Sequence, residues 1–272
     1  FLLVKHENSG GFFVEGHWHM TGALPVLVAT LGPGAANAIN VVANALQDRV
    51  PLIFLTGCVE GALIGSFTHQ VVDHQAMLRP VVKGTFKLER GKIGEIMRQA
   101  IALALSGQPG PVHIDVPVDV AESETNEPES SAKLTTTRPI TNQHAIETAL
   151  KLLKSSSRPL AIAGVDAVLE DAGHSISLFC REHNIPLVTT YKGKGLMPEQ
   201  DGLCLGAAGL SPLADKTLMP LIEQSDCILL LGYDPIEMRV GWRNPWGKEK
   251  GVIEISLVER DHGMHLVTVS LT

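Results

Sequence analysis

The stretch PVLVATLGPGAANAINVVANALQDRVPLIFLTG (25–57) sets the fold class of this chain. It contains an apolar strand (25–30), a Gly-Pro-Gly turn, a helix with apolar side chains at helical spacing (35–48) and a second apolar strand (51–56). Strands that are apolar throughout are typical of parallel sheets, which helices cover on both faces. The stretch therefore predicts a β-α-β unit of an α/β domain.

The same alternation extends outward over residues 1–122. Strands are predicted at FLLVK (1–5) and PVHIDVP (111–117), and helices at 8–21 and 92–106. The chain opens without Met and closes on an alternating strand, LVTVSLT, and nothing precedes the first strand to cover one edge of the sheet. We therefore expect a domain truncated at its N-terminus and a chain that is a fragment.

A second domain follows a polar linker. The stretch AESETNEPESSAKLTTTRPITN (121–142) is rich in Ser, Thr and Glu and contains two prolines, which predicts a linker over 123–141. Residues 142–272 return to the α/β pattern and predict a Rossmann-like sheet flanked by helices. The predicted helices are 142–154, 171–183 and 212–224, and the predicted strands are 159–164, 186–190, 227–232 and 251–256.

Composition excludes several classes of function. Hydrophobic residues make up 44% of the 272 residues, and the net charge is −7 with no Lys/Arg run, which argues against a nucleic-acid partner. No apolar run approaches the roughly 20 residues that span a bilayer, so we expect no membrane role. The four cysteines form no CxxC pair, which is typical of reduced thiols, and a cytoplasmic location is the default for a chain without a leader.

Three segments could carry chemistry. Glu7 lies between the first predicted strand and the following helix, where open α/β sheets bind ligands, although the helix dipole alone favours an acid there. The Gly-Pro-Gly turn opens a helix whose amides could face a ligand. A polar loop (66–83) carries His69, Gln70, Asp73 and His74, where a metal site is conceivable but not expected. His17 and His19 point in different directions on one helix and are left out of the site.

Together these segments resemble a known family. The ordered motifs HENSGG (6–11), ATLGPGAAN (29–37), PLIFLTG (51–57), HQVVDHQAMLRPVVK (69–83) and GPVHIDVP (110–117) are similar to the pyrimidine-binding domain of the acetolactate synthase and 2-oxoacid decarboxylase family. KGKG (192–195), SDCILLLGYDP (225–235) and VIEIS (252–256) resemble the central domain of the same family.

The resemblance implies a thiamine diphosphate cofactor and assigns residues to it. The glutamate that matches Glu7 hydrogen-bonds the cofactor's aminopyrimidine and favours its imino tautomer, so the protein tunes chemistry that the cofactor supplies. An apolar pocket that raised the pKa of this carboxyl would serve that role. By the same resemblance, Thr30, Pro33, Gly34 and Asn37 line the pyrimidine side of the pocket, and Gln70 approaches the reacting centre.

The sequence also departs from the family pattern. The Gly-Asp-Gly motif that binds Mg²⁺ and the diphosphate is absent, so we expect Mg²⁺ to be held by a C-terminal domain outside this chain and the chain alone to be inert. Val118 and GYDPIEMRVGW replace segments that belong to the FAD environment in biosynthetic members, which makes FAD binding doubtful. His69-Gln70-Val71 replaces the usual Phe-Gln-Glu, which puts pyruvate as the substrate in doubt.

The resemblance thus favours decarboxylation and carboligation of a small 2-oxoacid, as in acetolactate synthases. It also implies a homodimer or homotetramer, because family members build the site between subunits. Two alternatives remain open. One is a thiamine-diphosphate-dependent decarboxylase or lyase of another substrate, of the benzaldehyde or oxalyl-coenzyme-A type. The other is a non-catalytic regulatory or nucleotide-binding paralogue.

Overall fold

The structure is a computed structural model that describes residues 1–124, 126–127, 141–259 and 262–272. It divides into two compact units, Phe1–Thr137 and Arg138–Thr272. Most of the linker predicted over 123–141 lies outside the described residues.

The first unit is a four-stranded parallel sheet in the order β1-β2-β4-β3. Its helices are α1 (Glu7–Thr21), α2 (Pro33–Asn37), α3 (Ile39–Gln47), α4 (His74–Leu78), α5 (Ile93–Leu105) and α6 (Val118–Ala121). Its strands are β1 (Val26–Ala29), β2 (Leu52–Cys58), β3 (Gly84–Lys87) and β4 (Pro111–Pro117).

Helices cover both faces of this sheet, as the apolar strands predict. On one face, Val41 of α3 packs in a buried cluster with Leu27 and Phe54, and Trp18 of α1 packs against it. On the other face, Ala100 of α5 packs with Ile114. The α/β fold class inferred from the sequence is confirmed for this unit.

Two predictions for local structure in this unit are wrong. FLLVK is not a strand: residues 1–5 lie outside any helix or strand, and β1 is the edge of the sheet, with Val26 and Val28 exposed. No strand of the described residues extends the sheet beyond β1, so FLLVK has no ladder partner. The helix predicted at 35–48 is interrupted at Ala38, whose N–H donates to the Ala35 carbonyl at 3.2 Å, the spacing of a 3₁₀ turn.

The second unit is a six-stranded parallel sheet in the order β10-β9-β8-β5-β6-β7. Its helices are α7 (Gln143–Ser155), α8 (Val165–Leu169), α9 (Gly173–His183) and α10 (Pro212–Gln224). Its strands are β5 (Pro159–Ala163), β6 (Leu187–Thr190), β7 (Cys204–Ala208), β8 (Cys227–Leu231), β9 (Gly251–Ile255) and β10 (Val269–Leu271). Read from β7, this is the 3-2-1-4-5-6 order of dinucleotide-binding folds, which confirms a Rossmann-like sheet.

Sequence patterning missed two elements of the second unit. Strand β7 is short and only partly buried, and Gly206 within it has φ of 100°, next to a shift in register against β6. Glycine weakens the strand signal, so periodicity gives little indication of β7. Helix α8 is only five residues long, too short to show helical periodicity.

Cysteines occur in both units. The cysteines are all unpaired, with Cys180 and Cys227 buried and Cys58 and Cys204 partly buried. Among the described residues, no helix combines the length and the apolar character needed to cross a membrane.

Close packing of α1 against α3 depends on Gly11. A Cβ atom at Gly11 would lie 2.1 Å from Val41 Cγ1, and valine is stiff at χ1, so it cannot swing aside. At Gly16 in the same helix, a Cβ atom would meet nothing within 4 Å. The two positions form a matched pair within one helix.

We expect Gly11→Ala to lower the free energy of unfolding of the first unit by about 1–2 kcal/mol. Overpacking costs about 1–3 kcal/mol, which exceeds the gain of up to about 1 kcal/mol in helix propensity. Gly16→Ala should instead stabilise the unit by up to about 1 kcal/mol. Urea unfolding followed by fluorine NMR of fluorotryptophan at Trp18 measures both variants. Equal effects of the two substitutions would contradict the packing argument.

Candidate functional site

Glu7 opens helix α1 in the first unit. His6 is the N-cap residue, and its Nδ1 accepts a hydrogen bond from the Asn8 amide at 3.2 Å. Glu7 therefore lies in the first helical turn, where the helix dipole favours a carboxylate. Its side chain is partly exposed rather than enclosed in an apolar pocket.

The Gly-Pro-Gly turn brings α2 next to Glu7. Gly32 has φ of 61°, in the left-handed region that favours glycine, and Pro33 opens α2. Gly34 is buried, and a Cβ atom there would lie 2.6 Å from Thr30 Cγ2 and 3.4 Å from Glu7 Oε1. Glycine at position 34 therefore lets the turn approach Thr30 and the carboxylate closely.

Asn37 completes this group at the end of α2. Its Nδ2 donates to Glu7 Oε2 at 3.2 Å. Among the described residues, Glu7 Oε1 has no hydrogen-bond partner, so it remains available to a ligand. The structure thus brings together Glu7, Thr30, Gly34 and Asn37, while Pro33 lies exposed at the start of α2.

Gln70 lies against the same turn through its backbone. It is exposed and has φ of 57°, and its carbonyl oxygen would be 2.6 Å from a Cβ atom at Gly32. Left-handed conformations are uncommon for residues other than Gly, Asn and Asp. The loop that carries Gln70 is therefore held close over the Gly-Pro-Gly turn.

A buried polar network underlies the turn, and sequence reasoning missed it. The Gly32 amide donates to His74 Nε2 at 2.8 Å, and His74 Nδ1 lies 2.8 Å from Asp115 Oδ1. Thr56 Oγ1 donates to the same Asp115 oxygen at 3.0 Å and lies 2.8 Å from His113 Nε2. The network connects the turn to strands β2 and β4, where Thr56 and Asp115 are register partners.

The hydrogen bonds fix the proton positions in this network. Because His74 Nε2 accepts from Gly32, the ring proton of neutral His74 is on Nδ1, which donates to Asp115. Because the Thr56 hydroxyl donates to Asp115, it accepts from His113 Nε2–H. With Asp115 ionised and both histidines neutral, every donor of the network has an acceptor, and the His113 Nδ1 lone pair has no partner among the described residues.

Burial sets the titration of the network. It lowers the pKa of His113 from 6.5 to about 4, because desolvation disfavours the imidazolium form. Burial alone would raise the pKa of Asp115, but hydrogen bonds from His74 and Thr56 and electrostatic attraction to the two neighbouring imidazoles hold it below its usual 3.8. His69 and Asp73 belong to neither cluster of possible metal ligands among the described residues, and His74 lies in α4, hydrogen-bonded to Asp115 and Gly32.

A sequence signal for this network existed. In PVHIDVP, His113 and Asp115 alternate with apolar residues in a strand that is otherwise buried on both faces. Polar side chains in such a strand need partners. The missing information was which residues of a distant loop supply them.

The second unit has its own candidate crevice. In sheets of this order, ligands bind at the carboxyl ends of the two central strands, here β5 and β8. The buried Glu237 occupies that point: its Oε2 accepts from the Val165 amide at 3.0 Å and its Oε1 from the Lys192 amide at 3.3 Å. Burial raises the pKa of Glu237. The amide that begins α8 is therefore already bound to the protein's own carboxylate.

Comparison with known proteins agrees with these two folds. The family model described as "Thiamine pyrophosphate enzyme, N-terminal TPP binding domain" matches residues 1–77, and "Thiamine pyrophosphate enzyme, central domain" matches residues 146–271. The chain belongs to the thiamine pyrophosphate enzyme family. The recognition made from the sequence motifs is confirmed at this level.

Relatives in this family are acetolactate synthases. The chain is 35% identical over 238 residues to a probable acetolactate synthase large subunit of Methanococcus aeolicus, which covers 85% of the chain and 39% of that protein. It is 32% identical over 235 residues to the acetolactate synthase large subunit of Corynebacterium glutamicum, covering 85% of the chain and 37% of that protein. It is also 32% identical over 238 residues to the acetolactate synthase large subunit of Haemophilus influenzae, covering 85% of the chain and 41% of that protein. The chain thus spans about two fifths of these relatives' length.

The residues at Glu7 fit one end of the cofactor that the family binds. A carboxylate with one available oxygen, an amide and a hydroxyl suit an aminopyrimidine ring, which both donates and accepts hydrogen bonds. Mg²⁺ prefers sites built from oxygen ligands. Among the described residues, the two clusters that could hold a metal each contain two histidines, so neither fits Mg²⁺ and a diphosphate.

We expect the stability of the first unit to fall as the pH is lowered from about 6.5 to about 4, by up to about 1.4 kcal/mol per pH unit. In this range the unfolded chain protonates His113 while the folded chain keeps it neutral, so unfolding takes up a proton. His113→Gln should flatten this slope, and exposed His17→Gln should not. Protonation of Asp115 affects the stability only below its usual pKa of 3.8, so the effects of His113 and Asp115 fall in different pH ranges. Urea unfolding at several pH values, followed by the fluorine NMR signal of fluorotryptophan at Trp18, measures how the free energy of unfolding depends on pH. An unchanged slope in His113→Gln would contradict the assignment.

We expect His74→Leu to loosen the Gly-Pro-Gly turn, because it removes the acceptor of the Gly32 amide and a donor to Asp115. Each unmet buried group costs about 1–3 kcal/mol, so exchange of the Gly32 amide should quicken by roughly tenfold or more. Hydrogen exchange followed by NMR measures the rate. His69→Leu, in the exposed loop, is the control, and equal rates in both variants would show that His74 does not hold the turn.

Proposed function

We propose that this chain supplies the pyrimidine-binding half of the active site of an enzyme that uses thiamine diphosphate to decarboxylate a small 2-oxoacid and join the product to an acceptor. The single observation that supports this most is the Glu7 carboxylate at the start of α1. Asn37 orients it from one side, and its second oxygen is available to a ligand. The acetolactate synthase names of the relatives support the reaction class.

In this proposal the bound cofactor supplies the electron sink for decarboxylation, and Glu7 shares a proton with its aminopyrimidine ring. Asn37 holds the carboxylate in place, and Thr30, Pro33 and Gly34 would form a wall beside the ring. Gln70 would approach the substrate from the loop over the turn. The His74–Asp115 pair acts at a distance, since it fixes the turn through Gly32.

In this proposal, a further domain and a second subunit supply the remaining parts of the enzyme. Mg²⁺ and the diphosphate would be held by a further domain, and the active assembly would be a homodimer or homotetramer. The 272-residue chain would then be inactive alone. The proposed location is the cytoplasm, with neither nucleic acid nor a membrane as partner. Within the chain, the proposed pyrimidine-binding domain is 1–122, the linker is 123–141 and the central domain is 142–272.

The central unit is proposed to work without FAD or another dinucleotide at the ends of β5 and β8. A diphosphate there would have to displace Glu237 from the Val165 and Lys192 amides. Gly164 adds to the crowding, because a Cβ atom there would lie 2.8 Å from the Gly232 carbonyl and 3.0 Å from Glu237 Oε2. This argues against the nucleotide-binding paralogue as well.

The test is turnover of the complete protein that contains these residues, supplied with thiamine diphosphate, Mg²⁺ and pyruvate. We expect Glu7→Gln to lower kcat by roughly 10²–10⁴-fold, the usual contribution of a positioned proton-transfer group. The control is Glu95→Gln, which also removes an acid from the first turn of a helix, here α5, and should keep its activity.

Near-normal turnover by Glu7→Gln would sink the assignment of Glu7. The products separate the alternatives: a carboligase forms a 2-hydroxy-2-methyl-3-oxoacid from pyruvate, whereas a simple decarboxylase releases acetaldehyde. No turnover of pyruvate, with turnover of another 2-oxoacid, would favour a decarboxylase or lyase of different substrate.

A further inference from the structure

A second cluster of ionisable side chains lies in the central unit, away from Glu237. Glu254 is in strand β9, and His262 and His265 lie in the segment between β9 and β10. One ligand atom from each of these three residues lies within 4.8 Å of the others. His265 and Glu254 are buried and His262 is partly exposed, so the cluster lies just below the surface.

Glu254 is unusual for its strand. The neighbouring Val252 and Ile253 belong to the two apolar cores on opposite faces of the sheet. Side chains alternate along a strand, so Glu254 points to the same face as Val252, where Trp246 and Tyr233 also pack. Ser270 donates to Glu254 Oε2 at 3.3 Å, and Oε1 faces His265 Nε2 at 3.6 Å.

His265 shows most clearly that the cluster is incomplete. Its side chain has no exposure to solvent, and neither ring nitrogen has a hydrogen-bond partner among the described residues. The rings of Tyr233 and Trp246 surround it, with centroids 5.4 and 5.0 Å away. An unsatisfied buried polar group is costly, so native structures rarely keep one without a ligand, water or function.

The spacing fits metal ligands better than a hydrogen bond. A separation of 3.6 Å between His265 Nε2 and Glu254 Oε1 is too long for a hydrogen bond. Two ligands bound tetrahedrally at about 2.0–2.2 Å from one Zn²⁺ ion lie about 3.3–3.6 Å apart. His262 Nδ1 accepts from the Met264 amide at 3.3 Å, and the His262 ring lies next to that of His265, with centroids 4.6 Å apart.

Hydrogen bonds hold residues 264–268 in place on either side of His265. The Asn244 amide donates to the Met264 carbonyl at 2.7 Å, and Trp246 Nε1 donates to the Leu266 carbonyl at 3.3 Å. Further along, the Thr268 amide donates to the Val252 carbonyl at 2.9 Å. His265 is therefore positioned by its neighbours rather than by an interaction of its own ring nitrogens.

The other histidine-rich cluster behaves differently. In the first unit, His74 uses both ring nitrogens, and Asp115 accepts from His74 and Thr56. An ion at that cluster would have to break hydrogen bonds that support the Gly-Pro-Gly turn. An ion at His265 would instead satisfy a nitrogen that has no hydrogen-bond partner in the described part of the chain.

We infer that Glu254, His262 and His265 bind one divalent transition-metal ion, with Zn²⁺ as the best fit. One carboxylate and two imidazoles are ligands that Zn²⁺ accepts, and three protein ligands leave a fourth position for water. The ion ties the segment that carries both histidines to strand β9. The site uses only residues of the central unit and does not depend on the proposed function at Glu7.

The experiment titrates the metal-stripped 272-residue chain with Co²⁺, a spectroscopic substitute for Zn²⁺. We expect one equivalent to bind with visible d–d absorption of a nitrogen and oxygen ligand set, without thiolate-to-cobalt charge transfer, and Zn²⁺ to displace it. His262→Ala should weaken binding at least about tenfold without disturbing the fold, because the residue is only partly buried. Glu254→Gln should weaken it as well.

The matched control is His174→Ala, which removes an exposed histidine from α9 of the same unit. This variant should bind Co²⁺ as tightly as the parent chain. Three results would overturn the site: no binding near one equivalent, a charge-transfer band that places the ion on the cysteines, or equal loss of affinity in His174→Ala and His262→Ala.

Discussion

Parallel pairing is the constraint on which both units depend. Strands that all run in one direction need crossover helices, and they bring their carboxyl ends to one edge of the sheet. In the first unit this edge receives the turn after β1 together with the ends of β2 and β4. In the second it receives the ends of β5, β6, β8 and β9. The buried polar side chains of each unit concentrate at these strand ends.

The first unit satisfies those polar groups by supporting the Gly-Pro-Gly turn. Thr56 and Asp115, register partners near the ends of their strands, connect through His74 to the amide of Gly32. The hydrogen bonds fix an ionised Asp115 and a neutral His74 with its proton on Nδ1. The turn is thereby held rigidly beside Glu7, while the carboxylate keeps one oxygen available. A preorganised wall with one accessible acceptor suits recognition of a flat heteroaromatic ring.

The second unit satisfies its polar groups in two ways. At the switch between β5 and β8, Glu237 binds the amides that a nucleotide phosphate would use in folds of this order. A dinucleotide fold is thus retained while its usual phosphate position is filled from within. Farther along the sheet, Glu254 and His265 face each other at a distance suited to an ion. The same architecture therefore supports one closed site and one site that we propose to be completed by a metal.

The sequence by itself determined the α/β class, the Rossmann-like second sheet and most helices and strands, because the apolar runs and their spacing are local properties. The motifs around Glu7 and Gly34 also identified the family, and the roles proposed for Glu7, Thr30, Pro33, Gly34, Asn37 and Gln70 stay predictions. Only the tertiary structure decided that FLLVK has no strand partner among the described residues, since pairing depends on a neighbour. Likewise it decided that His74 serves Asp115 and Gly32 rather than the loop around His69, and that Glu237 and His265 are buried. His74 and Asp115 are 41 positions apart in the sequence, and Val165 and Glu237 are 72 positions apart. Periodicity and propensity describe neighbours along the chain, so they cannot show which distant side chain satisfies a buried polar group.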